Sequence, residues 1–322
     1  MNHAMRQQSA ARSNYGEARN TMENFRLKVF RVVARHLNFT RAAEELLLTQ
    51  PAVTQQIKAL EDEYGVPLFD RSGGRITLTA AGTVLLPYAE QLKAISDEAF
   101  EVVTSTSESH AGALALGASQ TIGQYLLPNF VAAFLREYPR VAVTAISGNT
   151  DAMLEAVAEH RIQLALIEGP GLRKDLHIQP FMEDQMVLVV PASHEWAGQE
   201  IDAQELRQAP LLMREFGSGS RRVVENALAK VGLKKKDLKT VMELDSTEGL
   251  LSAVEAGLGV TFVSRWAVRN QLALCTLGIA QVKGLKLSRK FSLAYPVGPE
   301  PRGNAGAFRS FILNHSLRAG LR

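Results

Sequence analysis

Four short clusters in this sequence carry the groups needed to hold an anion. They are Ser119-Gln120-Thr121, Ser147-Gly148-Asn149-Thr150, Gly217-Ser218-Gly219-Ser220 and Ser246-Thr247. Each precedes a stretch with helical periodicity, so its backbone N–H groups and hydroxyls stand at the positive end of a helix dipole. Taken singly, such a cluster is ordinarily a plain helix cap. Four of them in one region point to a cleft for a small anion, and Arg214 and Arg221 bracket the third. Glu168 and Glu215 also fall at predicted strand ends near this cleft. A carboxylate there repels an anion unless an arginine pairs with it or it moves aside. Glu168 is therefore a candidate switch element.

A second chemistry is written in Phe39 to Gly65. The spacing predicts two short helices joined by a tight turn. Thr40 can cap the first, whose Ala42, Ala43, Leu46 and Leu47 form a packing face. Thr49 can cap the second, and Pro51 sits where a missing N–H costs nothing. Val53, Ile57 and Leu60 recur at i, i+4 and i+7 as one apolar stripe. The opposite side carries Pro51, Thr54, Gln55 and Lys58, groups able to meet base edges and phosphates. Alone, this is more often an ordinary amphipathic helix with a solvated face. The residues beyond Gly65 change that reading: two short strands, 67–71 and 75–79, with Ser72-Gly73-Gly74 as the turn. Arg71 and Arg75 flank the hairpin tip, in reach of phosphates or a minor groove. With a preceding helix over 23–36 (Leu27, Phe30 and Val33 inward), the set is a winged helix-turn-helix.

These elements must be positioned by a chain of 322 residues, enough for two or three domains with sizeable cores. The 46% hydrophobic and 21% charged content is that of ordinary globular protein. No run of about 20 apolar residues predicts a membrane span. Net charge is only +3, and residues 22–80 hold eight Lys/Arg against seven Asp/Glu, so a basic footprint must be local. The polar residues 1–21 read as a disordered extension without a secretory signal, and Met22 is an alternative start. One cysteine, Cys275, excludes an intrachain disulfide and fits a reducing cytoplasm.

Thr79 can cap a long helix over 80–104 whose apolar positions Val84, Tyr88, Leu92, Ile95, Ala99 and Val102 run close to a heptad seam. The simplest partner for that seam is the same helix of a second copy. Pro87 is expected to kink it, and 105–109 reads as a hinge. From Gly112 onward short strands (113–118, 141–147, 162–167, 185–190, 210–213, 240–244, 259–264, 291–295) alternate with helices (126–138, 151–160, 220–231, 247–256, 304–317). That alternation predicts an α/β fold with mostly parallel sheets, and its two series predict two lobes. The expected domains are 22–80, a linker over 81–110, and a domain over 111–322 with lobe I at about 111–182 plus 290–322 and lobe II at about 183–289.

Taken together, these residues resemble the LysR-type transcriptional regulators, most specifically in FTRAAEELLLTQPAVTQQIKALEDEYGVPLFDRSGGRITLTAAG. The resemblance covers essentially all of 22–322 and implies a C-terminal domain similar to periplasmic solute-binding proteins. It also implies paired linker helices, commonly two dimers in a tetramer. Family DNA contacts fall on Gln50, Pro51, Thr54, Gln55 and Arg71, and Thr40, Arg41, Lys58 and Arg75 complete the candidate DNA-facing set. Many members have arginine where Gln55 stands; glutamine suits adenine by its paired donor and acceptor. The family's effector pocket maps onto Ser119, Gln120, Thr121, Asn149, Thr150, Glu168, Ser218, Ser220 and Thr247. GASQTIGQYLLPNF, SGNT, LIEGP and GSGSR look like the branch of sulfite-responsive and cysteine-pathway regulators, and like regulators of carbon-fixation operons.

The expectation is thus a cytoplasmic transcription factor whose partners are double-stranded promoter DNA, a small anionic effector and itself, with RNA polymerase a further candidate. The effector is a sulfur oxyanion such as sulfite, or alternatively a sugar phosphate or small carboxylate. No cofactor is expected. A reading of another class is a solute-binding protein whose N-terminal helices are only structural; the missing signal and the wing argue against it. An enzyme is disfavoured because there is no P-loop, no G-x-S-x-G, no GxGxxG and no metal-ligand spacing, so no catalytic or metal residue is assigned.

Overall fold

The computed structural model describes residues 23–105, 110–171 and 173–319. They belong to two compact units, one ending at Glu108 and the other starting at Ser109. The expected extension and all of the expected hinge but Ser105 lie outside the described residues; Ser105 closes the long helix.

The first unit contains α1 (Phe25–His36), α2 (Phe39–Leu46), α3 (Gln50–Tyr64), a two-stranded wing of β1 (Phe69–Asp70) and β2 (Thr77–Leu78), and α4 (Ala80–Ser105). The predicted inward residues Leu27, Phe30 and Val33 of α1 and Val53, Ile57 and Leu60 of α3 are all buried, and they meet Phe39 and Phe69 in one core. Arg31, itself buried, ties the N-terminal end of α1 to α4 by pairing with Glu23 and Glu90.

Two details of α2 differ from the expectation. Its cap is Asn38, whose Oδ1 accepts from the Thr40 and Arg41 amides at 2.9 and 3.0 Å, while Thr40 is an exposed helical residue. Asparagine is the better cap because its short side-chain carbonyl reaches two orphan amides at once. Leu47 is not in the packing face: α2 ends at Leu46, and Leu47 takes a left-handed conformation and is 92% exposed. Asn38→Ala is accordingly expected to cost about 1 kcal/mol and Thr40→Ala only a few tenths, a contrast readable in the midpoint of urea unfolding.

The wing strands pair antiparallel, Phe69 with Leu78 and Asp70 with Thr77. Asp70 holds the turn by accepting from the Ser72 amide at 2.8 Å, and Gly74 supplies the positive φ that the turn needs. The Oγ1 of Thr79 caps α4 by accepting from the Gly82 amide at 3.0 Å. Along α4, which runs on through Pro87, Ala89 is buried against the first core, whereas Val84, Tyr88, Leu92 and Ile95 of the seam are each more than half exposed.

The second unit opens with β3 (Ala111–Ser119), α5 (Gln120–Tyr125), α6 (Leu127–Glu137), β4 (Arg140–Gly148), α7 (Thr150–Ala158) and β5 (Leu164–Glu168). It continues through β6 (Leu176–Pro191), β7 (Glu200–Ile201), β8 (Pro210–Arg214), α8 (Gly219–Lys230), β9 (Lys239–Leu244) and α9 (Thr247–Glu255). The last elements are β10 (Val260–Ser264), α10 (Arg269–Ala273), β11 (Leu277–Val282), β12 (Ser288–Pro296) and α11 (Gly303–Ala319). The order β4-β3-β5-β12-β6 builds lobe I, and β6-β10-β8-β9, with β11 on the other side of β6, builds lobe II.

The sheets are mixed rather than mostly parallel. β3 with β4 and β5, and β8 with β9 and β10, are parallel, but β6 and β12 pair antiparallel with each other, β12 with β5, and β6 with β10 and β11. The first half of β6 and all of β11 escaped sequence reading. Pro180 and an extra residue, Phe181, break the alternation of β6 at a bulge opposite Phe291 and Ser292.

In lobe I, β5 alternates fully between two cores: Leu164 and Leu166 face the cluster of Phe134, Phe308 and Phe291, and Ala165 and Ile167 face that of Met153 and Val157. A strand covered on both faces must be apolar throughout. It therefore carries a single charge, on its last residue, Glu168, which is also buried.

Candidate nucleic-acid interface and ligand cleft

In the first unit, α3 presents Gln50, Pro51, Gln55 and Lys58 to solvent with Thr54 half-buried beside them. The Gln50 side-chain amide donates to Thr54 Oγ1 at 3.0 Å, so these two polar groups are already oriented to each other. Thr40 and Arg41 are exposed at the start of α2, and Arg75 is exposed at the end of the wing turn. Arg71 differs from these. Its guanidinium lies 4.7 Å from the centroid of the Phe39 ring and 3.5 Å from the Glu61 carboxylate.

In the second unit two of the expected cleft residues, Thr121 and Ser220, meet at the carboxylate of a third, Glu168. It accepts from the Thr121 amide (2.6 Å), the Thr121 hydroxyl (3.0 Å), the Ser220 hydroxyl (2.8 Å) and Arg289 Nη1 (2.6 Å). Arg289 is almost wholly buried; its Nε donates to Asp184 Oδ2 at 2.7 Å, and Asp184 Oδ1 accepts from the Ser264 hydroxyl at 2.7 Å. Arg289 and Asp184 are register partners on β12 and β6, and β6 is the strand that runs through both lobes.

Burial raises the Glu168 pKa, but the Arg289 charge, the Ser220 hydrogen bond and Arg214 outweigh it, and the carboxyl is held below its ordinary range. Asp184 goes the other way: burial raises it, Arg289 and Ser264 offset only part of that, and the Glu168 charge adds to the rise. The network thus has two carboxylates on one guanidinium.

Thr150 and Asn149 clasp the other lobe rather than leave their groups open. Thr150 Oγ1 donates to the Glu168 carbonyl at 3.1 Å and accepts from the Gly219 amide at 3.2 Å. Asn149 caps α7 at the Ala152 amide (2.9 Å) and donates to the Phe216 carbonyl at 3.4 Å. Arg222 reaches Asp151 at 2.9 Å, and the Tyr125 hydroxyl donates to Glu248. Burial, then the Glu248 bond and charge, push that phenol upward.

Ser119 is buried and its hydroxyl donates weakly to the Leu166 carbonyl (3.5 Å), while Gln120 is half-buried and turned to Gln124 at 3.1 Å. Ser218 is spent as the cap of α8, and Thr247 accepts from Arg214 Nη1 at 3.1 Å. Both carboxylates suspected of repelling an anion are paired, Glu215 with Arg214 at 2.8 and 3.0 Å. The arginine for Glu168 lies 121 residues away in sequence. Alternation in SRKFSLAY was the one available signal, since it puts Arg289 on the same face as the buried Phe291 and Leu293. No group of three or more His, Cys, Asp or Glu side chains suited to a metal occurs among the described residues, and no helix among them is long and apolar enough to cross a membrane.

Two family descriptions match this chain: the bacterial regulatory helix-turn-helix protein of the lysR family over residues 25–83, and the LysR substrate binding domain over 107–316. A probable RuBisCO transcriptional regulator of Synechocystis is 35% identical over 83% of this chain and 79% of its own length. Full-length CbnR complexed with target DNA has a similar fold (TM-score 0.67, 22% identity, 92% of this chain, 100% of that one). So does the regulatory domain of CcmR from Synechocystis in complex with 2-PG (TM-score 0.59, 23% identity, 64% and 97%). With a winged helix-turn-helix in one unit, a two-lobed α/β cleft in the other and both descriptions matched, the chain belongs to the LysR family of DNA-binding regulators.

Proposed function

We propose that this regulator senses a small oxyanion, and that the anion acts by taking over the donors that Glu168 now uses. The observation that carries this reading is the environment of Glu168: a carboxylate held at the start of α5 by an amide, two hydroxyls and a guanidinium drawn from both lobes. A set of donors that satisfies a carboxylate suits an incoming oxyanion of the same size. Displacing Glu168 breaks its bond to Ser220 of α8, so the ligand changes the contact between lobes, and lobe geometry is the two-state element that it biases. Ser119, Gln120, Thr121, Ser220 and Thr150 line this place; Asn149, Ser218 and Thr247 shape the loops around it.

A sulfur oxyanion such as sulfite is the first reading of the ligand. The second is a phosphorylated or carboxylated metabolite, favoured by the 2-PG of the CcmR complex and by the relatives named for RuBisCO. Thermal unfolding of the full chain with sulfite, sulfate, phosphate, small carboxylates and sugar phosphates separates them, because a ligand bound only to the folded cleft raises the melting temperature by mass action. A rise with one class, abolished by Thr121→Ala, identifies it; no rise with any anion sinks the reading of the cleft and leaves the family untouched.

On the DNA side, Gln50, Pro51, Thr54 and Gln55 read base edges of promoter DNA, and Arg41, Lys58, Arg71 and Arg75 meet phosphates. The exposed seam of α4 pairs with the same helix of a second copy in the cytoplasm, and two dimers form the tetramer. Gln55→Ala is expected to lose discrimination between cognate and random duplexes, whereas Arg75→Ala weakens both and reduces the slope of log K against log salt by about 1. Equal losses on both duplexes for Gln55→Ala would count against base reading by that residue.

A further inference from the structure

Glu61 joins the recognition helix to the wing. Its Oε1 accepts from two successive amides of the wing base, Leu68 at 2.8 Å and Phe69 at 3.2 Å, and its Oε2 lies 3.5 Å from Arg71 Nη2. The carboxylate is mostly buried, with its side chain 16% exposed, whereas Arg71 is 43% exposed. Along α3, Thr54, Lys58 and Glu61 fall at i, i+4 and i+7, so they share one stripe. The Phe39 ring supports the guanidinium from the side of α2. Leu68 is held from its other edge as well, since its carbonyl accepts from the Thr79 amide at 3.0 Å.

We propose that Glu61 is a positioning residue for DNA recognition: it sets Arg71 at a defined place in line with the base-reading stripe of α3, with its carboxylate facing the guanidinium from one side. This rests on the reading that Arg71 contacts DNA. A long cationic side chain that is already ordered gives up less freedom when a phosphate arrives, so the benefit lies in pre-organisation and not in an added contact. Glu61 touches no nucleic acid; it acts through Arg71.

The test uses the full chain and a duplex selected by the native protein from a random pool, with Glu61→Gln, Arg71→Ala and the double variant. Glutamine keeps an acceptor for the two wing amides and removes the charge facing Arg71. Arg71→Ala is expected to weaken binding about tenfold and to lower the salt slope by about 1, as loss of one phosphate contact does. Glu61→Gln is expected to weaken binding several-fold with the salt slope unchanged, because Arg71 keeps its charge, and to add nothing in the Arg71→Ala background. Arg71→Lys, which keeps the charge and loses the fork, is expected to match Glu61→Gln without touching the carboxylate, and so serves if Glu61→Gln lowers the melting temperature. Additive losses in the double variant, or native affinity for Arg71→Lys, overturn the positioning role while the wing contact stands. Native affinity for Arg71→Ala overturns the contact itself, and the proposal with it.

Discussion

Arg289→Met is expected to be among the most damaging single changes in the second unit, lowering its stability by about 3–5 kcal/mol, the cost of stranding buried charges whose partner is removed. For a domain of this size that corresponds to a fall of roughly 10 °C in melting temperature. The loss is large because the arginine serves two carboxylates, Glu168 at 2.6 Å and Asp184 at 2.7 Å, and both stay buried when it goes. It also loses its place against the Phe291 ring, 5.1 Å away.

The pH dependence gives a second readout. In the native chain Glu168 is held low, so its contribution to stability is full above the ordinary carboxylate pKa and is lost as pH falls through its own lower value. Asp184 is held high, so its contribution runs the other way and declines as pH rises from the unfolded value through the raised one. Without Arg289 both carboxylates shift upward, and protonation relieves both. The gap between variant and native should therefore narrow on going from pH 7 toward about pH 5, measured by urea unfolding. A gap that stays constant would mean that packing, not charge, holds this place.

Gly219→Ala is the other change expected to act strongly, and on geometry rather than charge. A β-carbon there meets the Glu168 carbonyl oxygen at 1.9 Å and Thr150 Oγ1 at 2.5 Å, so α8 has to back away from lobe I. Overpacking of this kind costs about 1–3 kcal/mol. The movement also lengthens the Gly219 amide bond to Thr150, now 3.2 Å, and the Ser220 bond to Glu168, now 2.8 Å. The expected result is a lower melting temperature, a larger radius of gyration by small-angle scattering, and loss of the anion-dependent melting shift. Gly232→Ala is the control: its φ is +81° but nothing lies within 4 Å, so it pays only the backbone strain, about 1 kcal/mol, with no change of radius. Equal radii for the two variants would show that the lobes do not depend on this contact.

The first unit was the more legible in sequence because its signals are local. A cap, a proline at the second helical position, an i, i+4, i+7 stripe and a glycine turn all lie within a few residues of what they organise. Even there, Asn38 displaced Thr40 as a cap, since sequence shows which residues can cap but not which has the extended backbone that capping needs. In the second unit the helix-start clusters were legible, and the residues after β3 and β4 do meet those at the start of α8 across the lobes, while Ser246 and Thr247 stay within lobe II. What stayed hidden is what pairing across long separations decides: the antiparallel crossing of β6 and β12, and the guanidinium that Arg289 brings to Glu168. A charged residue in an alternating strand reads as surface until the strand opposite is known. The bulge at Phe181 hid half of β6 for the same reason, because its alternation is only regular when counted against β12.

The route of the chain through lobe I bears on how the protein is made. Lobe I begins at β3 but is completed only by β12 and α11, with Asn304 donating to the Ala111 carbonyl at 3.0 Å across 193 residues. During synthesis the first unit and then lobe II have all their strands in hand while the earlier-made β5 still lacks its neighbour. Lobe I must wait, exposing the edge of an apolar strand, until the last elements leave the ribosome. Chaperone dependence and aggregation of nascent chains are therefore expected to centre on residues 111–168, and premature termination after α4 but before β12 is expected to yield a protein with an intact DNA-binding unit and no closed sensor.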